Sequence, residues 1–389
     1  MMRKKILVDE NVPLAEEYFG QLGQVQRFSG RRLSAPDVID AHALIVRSVT
    51  QVNAALLNHS AVEFVGTCTI GIDHLDTSWL NGQRIPYTNA PGCNANSVVE
   101  YVLTALALLD VNWQGRKVGI VGCGNVGGRV FRRLAALGAE VAGYDPLLPE
   151  GSLPVSAPLT SIFESDIVCL HAPLTTTGTH PTRHMISEDL LRRLPHGAVL
   201  ISAGRGPVIC NKTLLSVADV RPDVRWVLDV WEHEPWLDPA LLHRAAIGTP
   251  HIAGYSYDGK VMGTKMVCEA LANYWGQTIA LAGESGELAP VATVDVPRMT
   301  AAEWQQVRKV MCEAYDLAGD DRRLRELVAQ AQQSDDPETH LRRGFDLLRK
   351  HYPERREFRH FRWASEHRGD RVETMIRALG FAEPVEVQC

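Results

Sequence analysis

The 389-residue sequence lacks paired cysteines, long apolar runs and any surplus of positive charge. Its eight cysteines, Cys68, Cys93, Cys123, Cys169, Cys210, Cys268, Cys312 and Cys389, stand singly. No two have the CxxC or ligand spacing of a redox or zinc motif. A disulfide framework is therefore excluded, no metal is expected, and buried thiols in a reducing compartment are. No stretch reaches the roughly 18 apolar residues of a membrane helix. The apolar part of the opening Met1–Asp9 segment is too short for a secretory signal. A net charge of -6 argues against general affinity for nucleic acid. Internal repeats and low-complexity tracts are missing too. These absences predict a cytoplasmic protein with neither membrane nor nucleic-acid partners.

What is there is an α/β pattern. Hydrophobic residues make up 45% of the chain and charged ones 22%, ordinary values for a globular protein. The length suggests two or three domains. Short β-branched runs, Ile6–Val8, Ala43–Val46 and Glu63–Gly66, are each followed by loop residues and a helix-length segment. That alternation predicts parallel strands with crossover helices. A long apolar helix is expected over Asn96–Asp110. A second series then begins, with strands expected at Lys117–Val121, Glu140–Tyr144, Ile167–Leu170, Ala198–Ser202 and Arg225–Val230. Helices fit at Asn125–Leu137 and Ser187–Leu194. The spacing is that of a doubly wound dinucleotide-binding domain. One long helical stretch follows over Tyr257–Ala282, then a Gly/Pro linker at Gly283–Pro290. The Arg-rich but acid-balanced remainder has helical patterns at Ala301–Tyr315 and His340–His351 and predicts a third, smaller domain.

The segment Val118-Gly119-Ile120-Val121-Gly122-Cys123-Gly124-Asn125-Val126-Gly127 runs from strand through glycine turn to helix. Gly122 permits the tight turn, Gly124 lets a pyrophosphate approach the backbone, and Gly127 lets the helix pack near the strand. The helix N-terminus supplies N–H groups and partial positive charge. Asp145, at the end of the next strand, suits ribose hydroxyls and would repel a 2′-phosphate, which favours NAD over NADP.

Three further segments fall at strand ends: Ser202–Pro207, Leu228–Pro235 and Gly248–Tyr255. In open α/β sheets ligands bind outside the carboxyl ends of the strands. Oxidising a hydroxy acid needs a base for the hydroxyl proton, a carboxylate to orient that base, and a cation for the substrate carboxylate. His251, Glu234 and Arg205 supply one of each.

The glycine loop and these three segments, in this order, resemble the D-isomer-specific 2-hydroxyacid dehydrogenases over roughly residues 1–280. The resemblance implies two Rossmann-like doubly wound lobes with a cleft between them: a discontinuous substrate lobe (1–95 and 255–285) and an NAD lobe (96–254). It implies catalytic roles for Arg205, Glu234 and His251. Asp229 is expected near the nicotinamide carboxamide, and Ala172, in Leu170-His171-Ala172-Pro173-Leu174, is expected to offer its backbone to the cofactor. Asn125, Val126, Ala203 and Gly254 complete the expected cofactor contacts. Ser202 stands where the family usually has Asn, which predicts a local hydrogen-bond change and no loss of activity.

Four segments, Ile6–Asn11, Val46–Thr50, Pro91–Ala95 and His251–Lys260, set the chain nearest to family members acting on a phosphorylated four-carbon hydroxy acid. The resemblance assigns Ser48, Thr69 and Tyr255 to substrate, with Arg47 a further candidate. It also implies that residues 290–389 form a small α+β homodimerisation domain. Oxidation of 3-phosphoglycerate by the same catalytic residues stays open as an alternative, as does an NAD(H)-sensing regulatory protein of this fold.

Overall fold

A computed structural model describes residues 3–149, 151–280, 298–363 and 369–383. The expected linker and Cys389 lie outside these residues. The described residues fall into two compact units, one within Met1–Ala95 and Tyr255–Glu287, the other within Asn96–Gly254 and Leu288–Cys389.

The first unit is built on five parallel strands: β1 (Lys5–Asp9), β2 (Gln24–Phe28), β3 (Ala43–Val46), β4 (Phe64–Thr67) and β5 (Tyr87–Thr88). Their order is β2-β1-β3-β4-β5. β3 and β4 are buried along their whole length, as strands covered on both faces must be. The helix Tyr257–Trp275 covers one face. Ser256 caps it by accepting the Gly259 N–H at 2.9 Å, and its Val267, Cys268, Leu271 and Ala272 join the core. The approach is close. A Cβ on Gly66 of β4 would lie 2.3 Å from a methyl of Val267.

The second unit holds six parallel strands: β6 (Lys117–Val121), β7 (Glu140–Tyr144), β8 (Ile167–Leu170), β9 (Val199–Ser202), β10 (Arg225–Leu228) and β11 (Ile247–Gly248). Their order, β11-β10-β9-β8-β6-β7, is doubly wound. The register aligns their last residues in one row: Tyr144 beside Val121, Val121 beside Leu170, Leu170 beside Ser202, Ser202 beside Leu228, and Leu228 beside Gly248. The glycine loop and the segments that open at Leu170, Ser202, Leu228 and Gly248 all begin within three residues of that row.

The C-terminal residues pack on this same sheet. Leu324, Leu327, Val328, Leu341 and Phe345 enter its hydrophobic cluster. Asp321 accepts the Gly248 N–H at 2.7 Å, and Trp304 meets Trp113 edge-on at 5.1 Å. Where an α+β domain was expected, the described residues of this part form helices and a single 3-10 turn. The composition accounts for that. Oppositely charged residues fall repeatedly at i,i+4, as in Arg325–Asp321 and Arg342–Glu338, and such pairs favour helix.

Candidate active site

The second unit assembles its site from the loops leaving β6, β7, β8, β9, β10 and β11, and glycines set the fit. Gly122 has φ +80, a left-handed value that favours glycine. A Cβ there would lie 2.5 Å from the Ala172 nitrogen. Gly127 packs so tightly that its Cβ would sit 1.9 Å from the Gly122 carbonyl oxygen. Gly124 differs, with nothing within 4 Å of its Cβ position. The turn is thus crowded on its protein side and open where a pyrophosphate would approach, the arrangement an NAD site requires. Asn125 is exposed beside it. Val126 caps the helix Gly127–Ala136 without any side-chain bond to its first N–H groups. Asp145 accepts the Cys123 N–H at 2.9 Å and the Leu147 N–H at 3.1 Å, so its carboxylate also pins the glycine turn.

From there the contacts run strand to strand. A Cβ on Gly204 would lie 2.8 Å from the Ala172 carbonyl oxygen, and the Ala203 N–H bonds the Leu170 carbonyl at 3.2 Å. Burial pushes the neighbouring His171 down to about 4, so that turn is uncharged at neutral pH. Arg205 follows, with one guanidinium N–H on the Gly204 carbonyl at 3.0 Å. Ser202, the departure from the family pattern, is buried at the end of β9, and its carbonyl accepts the Asp229 N–H at 3.0 Å. A Cβ on Gly206 would lie 2.0 Å from the Trp231 carbonyl oxygen, so the Arg205 segment rests against the loop that carries Glu234.

His251 and Glu234 meet directly: the imidazole Nδ1 lies 2.7 Å from a Glu234 oxygen. The other Glu234 oxygen accepts the Trp231 N–H at 2.7 Å. Burial alone would raise the Glu234 carboxyl, but the facing imidazole and these hydrogen bonds hold it below the usual range. His251 adopts φ +56, an uncommon conformation for a non-glycine residue. Asp229 holds it there. Its carboxylate accepts the Ile252 N–H at 2.7 Å and the Ala253 N–H at 3.0 Å, and its backbone carbonyl accepts the His251 N–H at 2.8 Å. Thr249 donates to the same carboxylate at 2.6 Å, and the Tyr101 hydroxyl reaches Thr249 at 2.9 Å. Such backbone strain persists only where the surroundings over-determine it.

Sequence reasoning missed Thr249, Tyr101 and Arg355. Arg355 is buried, lies over the Tyr315 ring at 4.1 Å, and donates to the carbonyls of Ser97 at 3.2 Å and Ala253 at 3.3 Å. The C-terminal part thereby holds the loop between His251 and Gly254.

The first unit carries the residues assigned to substrate. Arg47 follows β3, donates to the Asn11 carbonyl at 3.1 Å, and lies 5.6 Å from the Tyr255 ring. Lys260, also missed, lies 5.0 Å from that ring. Two cations therefore flank Tyr255. Ser48 is exposed beside Arg47. The Thr69 hydroxyl donates to the Gly71 carbonyl at 3.1 Å and pairs with Thr67 at 2.8 Å.

The D-isomer specific 2-hydroxyacid dehydrogenase family, NAD binding domain, matches residues 101–253. A domain of unknown function (DUF3410) matches residues 288–380. Erythronate-4-phosphate dehydrogenase of Cellvibrio japonicus is 48% identical over 380 residues, covering 97% of this chain and 99% of that protein. Its counterpart in Teredinibacter turnerae is 43% identical over 383 residues, covering 97% and 98%. The NAD+-bound 3-phosphoglycerate dehydrogenase of Entamoeba histolytica shares the fold, with a TM-score of 0.61 at 21% identity over 71% of this chain and 96% of that one. No helix among the described residues is long and apolar enough to cross a membrane. With relatives of such identity aligned along almost its whole length, the chain belongs to the D-isomer-specific 2-hydroxyacid dehydrogenase family and is an NAD-dependent oxidoreductase.

Proposed function

We propose that the chain oxidises the 2-hydroxyl of 4-phospho-D-erythronate to 2-oxo-3-hydroxy-4-phosphobutanoate, a step in making pyridoxal 5′-phosphate. The observation that carries the chemistry is the His251–Glu234 pair, 2.7 Å apart beside the segment that bears Arg205. With Nδ1 turned to Glu234, Nε2 is the nitrogen offered to the substrate hydroxyl. Arg205 grips the substrate carboxylate through its planar fork. His251 takes the hydroxyl proton, and Glu234 stabilises the imidazolium that results. A bound oxidised nicotinamide would supply the acceptor for the C2 hydride, so that the product is the 2-oxo acid. Gly122, Gly124, Asn125, Val126 and Gly127 hold the pyrophosphate, and Asp145 takes the ribose. Ala172, Ala203, Asp229 and Gly254 complete the cofactor contacts.

The choice of substrate rests on the relatives named above and on the first unit. Arg47 and Lys260 about Tyr255 supply cations for a phosphate, with Ser48 and Thr69 as hydroxyl partners. The same reading takes the protein as cytoplasmic, residues 1–95 with 255–285 as its substrate part and 96–254 as its NAD part. Residues 290–389 serve homodimerisation. Initial rates of NADH formation test the substrate. Faster turnover of 4-phosphoerythronate than of 3-phosphoglycerate, with NAD preferred to NADP, is expected. Faster turnover of 3-phosphoglycerate would overturn the assignment.

A further inference from the structure

The loops leaving β8, β9 and β10 bring a second group of side chains together, outside the catalytic set. His184, Cys210 and Glu232 present an imidazole nitrogen, a thiol sulfur and a carboxylate oxygen within 4.8 Å of one another. In sequence they are too far apart to read as a motif. The sheet gathers them because β8, β9 and β10 are neighbours that end in register.

Each is held in place. The His184 N–H bonds the Pro207 carbonyl at 2.8 Å, and its ring Nε2 is hydrogen-bonded to one oxygen of Glu232. The other Glu232 oxygen accepts the Asn211 N–H at 2.8 Å, at the start of the helix Asn211–Val220. Cys210 occupies the cap position of that helix, yet its thiol makes no capping bond. His233 brings a further nitrogen 3.8 Å from Glu232. An ion pair with a helix cap would account for His184 and Glu232 but leaves the thiol without a purpose.

We propose that His184, Cys210 and Glu232 form a binding site for a borderline-soft divalent cation, with zinc the best match. A nitrogen, sulfur and oxygen set suits zinc, and the thiolate disfavours magnesium and calcium. Three protein ligands leave a position for His233 or water. The site would tie together two segments that matter for catalysis. Gly206 lies against the backbone of Trp231 and Glu232, so a cation fixed to Cys210 and Glu232 braces the stretches carrying Arg205 and Glu234.

Cobalt is the probe. The full chain, stripped of metal by a chelator, is titrated with Co2+ and followed by absorbance. Saturable binding of a single equivalent is expected, with a thiolate-to-cobalt charge-transfer band that Zn2+ displaces. Cys210→Ser should abolish the band, and His184→Ala should weaken Co2+ binding at least about tenfold. NADH binding shows whether each variant is folded. If one is not, alkylation of the unaltered chain, read peptide by peptide in a mass spectrometer, replaces it, and Zn2+ should protect Cys210. Absence of saturable cobalt binding, a band that persists in folded Cys210→Ser, Co2+ affinity unchanged in folded His184→Ala, or no protection of Cys210 overturns the proposal. The dehydrogenase reading stands or falls separately, because none of these readouts depends on turnover.

Discussion

The two units carry their candidate functional residues in different ways. In the second, the site is written into the backbone. Gly122 needs φ +80, Gly206 needs room against Trp231, and His251 is held at φ +56 by Asp229. Few sequences satisfy those demands, so the residues that meet them form recognisable motifs. In the first, the candidate residues are side chains on ordinary backbone. Arg47 and Lys260 meet about Tyr255 although more than two hundred residues separate them in the chain. Conformational demands leave local signatures, whereas charge clusters become visible only when the fold brings them together.

That difference predicts how the units respond to change. Among changes that spare the proposed base, Arg205→Ala should cost most. Loss of the carboxylate fork lowers kcat/KM by roughly 10²–10³, the size expected when one partner of a charged pair is removed. NADH binding should stay near its original strength. A loss of cofactor binding as large as the loss of turnover would show that Arg205 supports the loop and does not hold substrate. Lys260→Ala should act more gently and on a different parameter. KM for the phosphorylated substrate should rise about tenfold with kcat little changed. An unphosphorylated substrate should show no such rise. An unchanged KM would remove Lys260 from the phosphate site.

The smallest effect concerns the buried seat of the C-terminal part. Glu100 accepts the Phe358 N–H at 2.8 Å and lies near Glu357 and Arg355. Burial, then the like charge of Glu357, raises its carboxyl to about 8 from a usual 4.5. The folded chain then holds a proton that the unfolded chain has already lost. Stability falls as pH rises between 4.5 and 8. Glu100→Gln should flatten that fall in melting temperature, and an equally steep fall in the variant would show that other groups cause it.

Much of the fold was legible for the same reason as the motifs. β3, β6, β7 and β8 coincide with apolar runs bounded by turn residues. β2 was missed because Gln24-Val25-Gln26-Arg27-Phe28 lies at the sheet edge and is mostly polar, while β5 and β11 have two residues each. The helix Leu317–Gln332 is hidden in the sequence because its charged residues mask the apolar stripe of Leu324, Leu327, Val328 and Ala331. At the site, Arg205, Glu234 and His251 were readable from their neighbours in sequence. Thr249, Tyr101 and Arg355 were not, since each acts through a partner far away in the chain.

The proposed reaction turns on His251, backed by Glu234, taking the substrate proton. Its most direct test is the rate of NADH formation in His251→Ala beside the unaltered enzyme, with NADH affinity measured on both. A fall of roughly 10²–10⁴, the usual worth of a positioned base, with cofactor affinity preserved, is the predicted result. Turnover within a few-fold of the unaltered enzyme would contradict it.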